Sequence, residues 1–511
     1  MPMNLKTRAD RFALALERKP ALLIALFLAC YVILLIFPVQ RRLWHDELFT
    51  YYISQAPNIS KLLWESHHLD LNPPMVYAVT RGWQQLFGTN ETVSRIPSAI
   101  AFGLASLGFV LFLRRRIGWL WAVAAILLCW ASPNFVYATE LRPYALLLFF
   151  FSMLLLSWDA AHSERHRYWG LLGVFLSACG MLLTHMLAIF PLGAVYLGEL
   201  LQTVRHRRVD WQLWLCLLLP LGIVFTYFET NQTQRVQGSV YPPTFQAGPR
   251  KIAVYLAKVF LGIAIPACLA IGAAFLVARP RFRDSLRKAT LADTGLWIGL
   301  LSLPFLINLV LMTTHSAFFE RYCLATALTI AVSTVILLGA VTKWSRLAAL
   351  SSTVVILLFA LEKNLVRPFW LRTHTVVVAA ADQIPAGLPV VAASGLAFLE
   401  MDHYERAEFL NRVYYLTDHD SALQYAHANI FEHMAIEAKY FPFRSHVSPY
   451  QEFIRAHPRF IVLGSIEYPE DWLLRKLVAE GAKVQQIGTI QGHLYRDDTL
   501  YEIDATPLLN R

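Results

Sequence analysis

The chain has 511 residues, of which 56% are hydrophobic and only 16% are charged, and its formal net charge is +10. Soluble proteins carry about 25% charged residues. The composition therefore excludes a soluble protein that buries this much apolar sequence in a single core. The positive charge alone would suit a nucleic acid. The basic residues, however, lie in short loops between apolar runs, which is typical of the cytoplasmic face of a membrane protein. We therefore predict a lipid bilayer as a partner, and no nucleic acid.

About eleven apolar runs are predicted to cross the bilayer, for which a helix needs roughly 20 mostly apolar residues. The first follows a basic N-terminus without a small-residue cleavage pattern, so we interpret it as a retained signal anchor. The predicted spans lie at 21–38, 93–113, 117–133, 143–158, 168–184, 186–202, 211–229, 252–277, 294–312, 322–341 and 347–361.

The charges between the spans predict which face each loop occupies. If the N-terminus is cytoplasmic, the loops on that side carry twenty Lys and Arg residues, five of them at 279–288, whereas the opposite loops carry nine. Basic residues favour the cytoplasmic side. The sequence therefore predicts a multi-pass protein of the plasma or inner membrane with a cytoplasmic N-terminus. Because the span count is odd, the C-terminal tail is predicted to be extracytoplasmic.

The first outer loop, at about 39–92, is long and patterned. "LWHDELFTYYISQ" and "PPMVYAVTRGWQQLF" each place apolar residues at helical spacing. Their Trp and Tyr residues suit the membrane interface. We predict two helices that lie along the membrane surface and are joined through "ESHHLDLNPP".

The tail changes character after the last span. Short strand-like runs such as "LPVVAAS", "RFIVLGS" and "AKVQQIGTI" alternate with helical patterns, which is typical of an α/β domain. No nucleotide fingerprint of the GxGxxG or GxxxxGK[ST] type occurs. The predicted fold class is a polytopic α-helical membrane protein with a transmembrane domain at 1–361 and an extracytoplasmic α/β domain at 362–511.

Asp46 and Glu47 stand side by side just after the first span. Acidic residues at a helix N-terminus complement the helix dipole, which alone would explain the pair. Neighbouring residues of a helix point about 100° apart, so the two carboxylates cannot grip one atom together. One could take a proton from an acceptor while the other binds a cation or shapes the pocket.

Two arginines, Arg142 and Arg321, follow acidic residues at span starts on the same predicted face. Arginines at span ends often extend to the lipid headgroups, but Arg also forms bidentate bonds with phosphate. His185 is either a satisfied polar residue between two spans or a site residue, and His315 lies in the turn before Arg321. Polar side chains in lipid are expensive, so these positions are site candidates.

Six segments together resemble the motifs of the GT-C glycosyltransferases, more narrowly the dolichyl-phosphate-mannose protein mannosyltransferases and aminoarabinose transferases. "HDELFTYYIS" is similar to the family's Asp-Glu motif, and "DLNPPMVY" is similar to its D-x-H-P-P-L signature, with Asn72 where His is common. The departure leaves open whether position 72 takes part in chemistry. The later segments are "RIPSAIAF", "ELRPYALL", "THMLAIF" and "ERYCLATAL", the last without the expected Pro. The resemblance covers residues 1 to about 340 and implies a GT-C fold.

The resemblance also implies a function and roles. The chain would be an inverting transferase that moves a sugar from a polyprenyl-phosphate donor to an envelope glycan, lipid or protein acceptor. Asp46 would act as general base on the acceptor or orient it, and Glu47 would position the donor or a cation. Arg142 and Arg321 would hold the lipid phosphate. The resemblance implies no obligatory cofactor, because some relatives bind a divalent cation and others do not; if Mg²⁺ or Mn²⁺ is bound here, Asp46 and Glu47 are the predicted ligands. The remaining predicted substrate-binding residues are Glu140, Tyr144, His185, Asp70, Asn72 and Tyr322.

Two other functions remain open at this stage. A transporter or flippase would carry polar residues at the midplane of its spans, whereas here they gather at the outer ends. A glycan polymerase or ligase would share the many spans and outer arginines, but we do not expect it to carry the Asp-Glu pair directly after the first span.

Overall fold

The computed structural model describes residues 5–227, 247–277, 291–313, 318–368, 380–426, 443–466, 471–490 and 498–509. The predicted basic loop at 279–288 and His315 lie outside these residues.

Fifteen α-helices make up the first part of the described chain. They are α1 (Leu5–Arg18), α2 (Pro20–Leu35), α3 (His45–Ile53), α4 (Ile59–His68), α5 (Met75–Phe87), α6 (Glu91–Ile117), α7 (Trp119–Ala131), α8 (Tyr144–Ala161), α9 (Arg167–Thr184), α10 (Ile189–His206), α11 (Trp211–Leu218), α12 (Pro249–Val277), α13 (Leu291–Thr313), α14 (Leu324–Val341) and α15 (Arg346–Leu361). Among the described residues, nine helices are long and apolar enough to cross a membrane, built on α2, α6, α8, α9, α10, α12, α13, α14 and α15. The protein is therefore a multi-pass membrane protein, as predicted.

Two further predicted spans form shorter apolar helices, at Trp119–Ala131 and Trp211–Tyr227. At 1.5 Å per residue the 13 residues of α7 extend only about 20 Å, less than the roughly 30 Å hydrocarbon core. A Gly at 118 and a Pro at 133 border the helix and limit its length. The prediction that these two segments are as long as the other spans is therefore wrong.

Contacts nevertheless place the two ends of α7 at opposite ends of the helix bundle. Just before it, Arg116 pairs with Asp159 and Asp293; we call this the basic end. Eleven positions after its last residue, Arg142 donates to the backbone carbonyl of Asp46; we call this the site end. Trp211–Tyr227 likewise begins beside Asp210, which pairs with Arg167, and ends where the Tyr227 ring stacks on His67. These contacts support the prediction that both shorter segments connect the two ends of the bundle.

The first loop contains three helices rather than the two predicted. The patterns around Asp46 and after the Pro pair form α3 and α5, as expected, but α4 lies between them and extends into the first residues of the predicted connection. Asn58 caps α4 by accepting the Lys61 backbone N–H at 2.9 Å. An Asn cap signals the start of a helix, but the aromatic patterns of the two flanking helices are stronger signals.

The tail forms a six-stranded sheet with helices, which confirms the predicted α/β domain. Its helices are α16 (Ala380–Gln383), α17 (Gly395–Tyr404), α18 (Ala407–Leu410), α19 (His419–Ser421), α20 (Tyr450–Ala456), α21 (Trp472–Glu480) and α22 (Thr506–Leu509). Its strands are β1 (Val390–Ala392), β2 (Val413–Thr417), β3 (His446–Pro449), β4 (Arg459–Gly464), β5 (Lys483–Ile490) and β6 (Asp498–Asp504). They lie in the order β3-β2-β1-β4-β6-β5. The first four strands in this order pair parallel, whereas β6 pairs antiparallel with both β4 and β5. Helix α17 packs on α3, so this domain sits at the site end.

Candidate active site

The N-terminus of α3 carries both neighbouring carboxylates. Trp44 precedes the helix in an extended conformation, and its backbone N–H donates to Glu47 Oε2 at 3.3 Å, as in one half of a capping box. The helix then directs Asp46 and Glu47 about 100° apart. The two carboxylates consequently have different surroundings.

Glu47 points into the protein, where it forms a fully buried ion pair with Arg95 of α6. Arg95 Nε donates to Oε1 at 2.9 Å and Nη2 donates to Oε2 at 2.6 Å. Oε1 also accepts the Leu141 backbone N–H at 2.8 Å. With the Trp44 amide, each oxygen accepts two hydrogen bonds, which fills its lone pairs. Glu47 therefore joins α3, α6 and the segment before α8.

Asp46 lies on the other side of α3 and is partly exposed. Its Oδ2 accepts a hydrogen bond from Arg321 Nη1 at 2.9 Å, and its Oδ1 lies 3.6 Å from His45 Nε2. Burial alone would raise the pKa of Asp46, but Arg321, Arg142 and His45 together lower it. Asp46 is therefore a carboxylate at neutral pH, which is the form that accepts a proton.

Arg142 is held beside Asp46 by a buried network. It forms two bonds with the Asp70 carboxylate, the longer of them 3.1 Å from Nη2 to Oδ1. The hydroxyl of Tyr77 donates to Asp70 Oδ2 at 2.6 Å, and the side-chain amide of Asn72 donates to the Asp70 backbone carbonyl at 2.8 Å. Asp70 thus orients the guanidinium, and Asn72 shapes the turn that carries Asp70.

A cavity opens next to Arg321 between the membrane helices. It holds roughly 410 Å³, including its opening to solvent. Its walls are mostly apolar, whereas Tyr144, His185, Arg321 and Tyr322 form a polar patch. The wall residues are Leu147, Leu148, Phe151, Leu187, Pro191, Leu303, Leu324 and Ala325.

His185 presents a neutral hydrogen-bond donor to this cavity. Burial, assisted by Arg142 and Arg321, lowers the pKa of His185 to about 3. Its Nδ1 accepts the Leu187 backbone N–H at 3.1 Å, so the ring hydrogen lies on Nε2. His185 can therefore donate to an anion without carrying charge.

Four charged side chains near the site have buried polar atoms without a hydrogen-bond partner among the described residues. These atoms are Nε of Arg142, Nε of Arg321, Oε2 of Glu140, and Nε and Nη2 of Arg41. Burial raises the pKa of Glu140 to about 7, although Arg41, 3.9 Å away, opposes this. Buried donors without acceptors are costly, so the guanidinium groups of Arg142 and Arg321 are suited to an anionic ligand.

Comparisons with known proteins agree with the resemblance. Residues 71–228 match the family model of dolichyl-phosphate-mannose-protein mannosyltransferase. A crystal structure of ArnT from Cupriavidus metallidurans in the apo state has a TM-score of 0.52 at 12% identity, with 96% of this chain and 99% of that chain covered. The fold is the GT-C fold of ArnT.

A second crystal structure, ArnT from Cupriavidus metallidurans bound to undecaprenyl phosphate, has a TM-score of 0.49 at 13% identity. It covers 94% of this chain and 97% of that chain. No curated protein sequence matches the chain.

The candidate site as arranged does not offer a divalent-cation site at Asp46 and Glu47. The oxygens of Glu47 are filled by Arg95 and two amides, and Arg321 occupies Oδ2 of Asp46. Within the described ranges, no group of three or more His, Cys, Asp or Glu side chains could hold a metal. Hard cations require several oxygen ligands, so we assign no step to a metal.

The structure brings most of the predicted site residues together. Asp46, Asp70, Arg142 and Arg321 form one network, and Tyr144, His185 and Tyr322 line the adjoining cavity. Glu47 and Asn72 support this network. Sequence reasoning did not single out Arg95 or Tyr77. Arg95 had a signal, since an Arg near the start of an apolar span needs a partner, whereas Tyr77 had none.

Proposed function

We propose that the protein is an inverting glycosyltransferase that takes a sugar from a polyprenyl-phosphate donor. The observation that carries the proposal is the cavity beside Arg321, which joins apolar membrane helices to a cationic end. An isoprenoid chain suits the apolar walls. Its phosphate would accept hydrogen bonds from Arg321 and Arg142, whose Nε groups have no protein acceptor among the described residues.

The reaction follows from the positions of Asp46 and the two arginines. Asp46 takes the proton from the acceptor hydroxyl or amine, and the freed electron pair forms a bond to the anomeric carbon of the sugar. The bond from that carbon to the phosphate oxygen breaks, and its electrons remain on the polyprenyl phosphate. Arg321 and Arg142 stabilise the negative charge of this leaving group. Attack opposite the phosphate inverts the anomeric centre.

The acceptor is proposed to be an envelope glycan, lipid or protein on the extracytoplasmic face. Twenty basic residues lie in the loops assigned to the opposite face, and the positive-inside rule supports this orientation. The C-terminal domain, which lies at the site end, would then face the same compartment as the acceptor.

The first prediction concerns Asp46→Asn in the purified full-length protein. The variant should insert and fold like the wild type, because an amide oxygen can still accept from Arg321. It should lose at least about a hundredfold in kcat, since a general base contributes 10²–10⁴-fold. The assay uses a panel of labelled undecaprenyl-phosphate sugars (mannose, glucose and 4-amino-4-deoxyarabinose) and envelope extract as the acceptor.

Arg81→Lys, outside the site, is the matched control because the hydrogen bonds of the Arg81 side chain within the described part of the chain go to the backbone carbonyls of residues 54, 56 and 57. Wild-type activity in Asp46→Asn would contradict the assignment of Asp46. Movement of a lipid-linked sugar across vesicles without transfer would support a flippase instead. Joining of preassembled glycans without use of the monosaccharide donors would support a polymerase or ligase.

A further inference from the structure

The C-terminal domain contacts the active-site helix through one face of α17. Glu400, His403 and Tyr404 are spaced at i, i+3 and i+4, which places them on one side of the helix. His403 lies 3.2 Å from the Tyr52 hydroxyl and 3.3 Å from Glu91. The Tyr404 hydroxyl accepts the Leu43 backbone N–H and donates to Glu91. These two residues hold the domain against the first loop.

Glu400 makes a different contact, with the residue next to Asp46. Its Oε1 accepts the His45 backbone N–H at 3.0 Å and lies 3.3 Å from His45 Nδ1. The Glu400 side chain is only 6% exposed. A buried carboxylate is costly unless it is paired, so this pairing fixes how α17 meets the start of α3.

The His45 ring continues this contact to Asp46. Its Nε2 lies 3.6 Å from Asp46 Oδ1, while Arg321 holds the other oxygen of Asp46. A carboxylate at one ring nitrogen fixes the orientation of an imidazole. The Asp46 carboxylate therefore lies between a group fixed by the C-terminal domain and a group fixed by the membrane domain.

We propose that Glu400 is a positioning residue of the active site, through which the C-terminal domain holds His45 and the start of α3 and thereby places the carboxylate of Asp46. This inference rests on the proposed function. It gives the C-terminal domain a part in catalysis, because the membrane helices alone would leave the His45 side of Asp46 unsupported.

The experiment compares Glu400→Ala, Glu400→Gln and Tyr404→Phe in the full-length protein. Glu400→Ala removes both contacts to His45 and should lower kcat between about tenfold and a hundredfold, the usual effect of a misplaced catalytic group. The KM for the lipid donor should stay within about twofold, because the cavity and both arginines are unchanged. Glu400→Gln keeps an acceptor oxygen and should recover most of kcat. Tyr404→Phe is the matched control, since it removes a docking contact that does not reach His45.

A double variant tests whether Glu400 acts through His45. The combined loss of kcat in His45→Ala with Glu400→Ala should be clearly smaller than the product of the two single losses, because both changes remove the ring contact, while Glu400 still accepts the residue-45 backbone N–H in His45→Ala. Multiplied losses in the double variant would overturn the proposal. So would a wild-type kcat in Glu400→Ala, or equal losses in Glu400→Ala and Tyr404→Phe.

Hydrogen exchange separates this inference from the proposed function. If the wild type transfers no sugar from any tested lipid, the proposed function fails. The positioning claim is then decided by exchange of the backbone amides of residues 45–50. Glu400→Ala should accelerate their exchange at least about tenfold relative to Tyr404→Phe, and Glu400→Gln should not. Unchanged exchange in Glu400→Ala would overturn it.

Discussion

At the scale of single residues, two adjacent carboxylates have opposite surroundings. Asp46 is partly exposed and faces Arg321, whereas Glu47 is fully buried against Arg95. Removing one partner of a buried ion pair leaves an uncompensated charge, which usually costs about 3–5 kcal/mol. We therefore predict that Arg95→Met strongly lowers the Tm of the purified protein in detergent, while Asp46→Asn leaves it within about 2 °C of the wild type. The second prediction is contradicted if Arg95→Met unfolds at the wild-type temperature.

Glu140 supplies a pH dependence at the same scale. Its pKa is raised from 4.5 to about 7, so the folded protein binds this proton more tightly than the unfolded chain does. Stability is then lost as the pH rises from about 4.5 to about 7. Glu140→Gln cannot ionise and should unfold at the wild-type temperature at pH 4.5. By pH 8 the variant should be more stable by about 3 kcal/mol.

Thermal unfolding of both proteins across this range measures the difference between their stabilities. Glu408→Gln, on the C-terminal domain, is the control for loss of a carboxylate elsewhere. Parallel curves for the wild type and Glu140→Gln would show that Glu140 has an ordinary pKa.

At the scale of elements, the sequence predicts helices whose apolar residues repeat at helical spacing. It does not predict helices whose start depends on a local contact such as a cap. The patterns before and after "ESHHLDLNPP" correspond to α3 and α5 because apolar spacing dominates there. Helix α4 has 10 residues against 9 in α3, and its start is signalled by the Asn58 cap rather than by a run of aromatic residues. The Glu47–Arg95 and Asp46–Arg321 pairs join residues 48 and 275 positions apart. Neither pairing can be read from a helical period, because each depends on how the spans pack.

Helix α7 gives a prediction at this scale, since its length and its contacts point in different directions. We expect it to cross, because Arg116 lies at the basic end and Arg142 at the site end. In a cysteine-free background, an impermeant maleimide should label Arg115→Cys and Val136→Cys from opposite sides of sealed vesicles. Both positions are exposed in the structure. Labelling of both from one side would show that α7 is re-entrant.

At the scale of the whole molecule, the two ends of the bundle differ in what they carry. The site end holds the network of Asp46 and Arg321, the polar patch of the cavity and the contacts of α17 with α3. The basic end holds Arg114–Arg116 and, in the last turn of α10 and just after it, the arginines at 205, 207 and 208. Because basic residues favour the cytoplasmic face, this asymmetry supports the proposal that the candidate site and the C-terminal domain share the extracytoplasmic side.

The last prediction follows from this shared orientation. Alkaline phosphatase fused after Arg511 should be active, because the enzyme folds only outside the cytoplasm of bacterial cells, and green fluorescent protein fused there should not fluoresce. Fusions after His206, at the basic end of α10, serve as the reverse control. Since α17 binds α3 directly, a cytoplasmic C-terminus would place Asp46 and Arg321 in the cytoplasm as well. It would thereby contradict an extracytoplasmic acceptor while leaving the chemistry of the network intact.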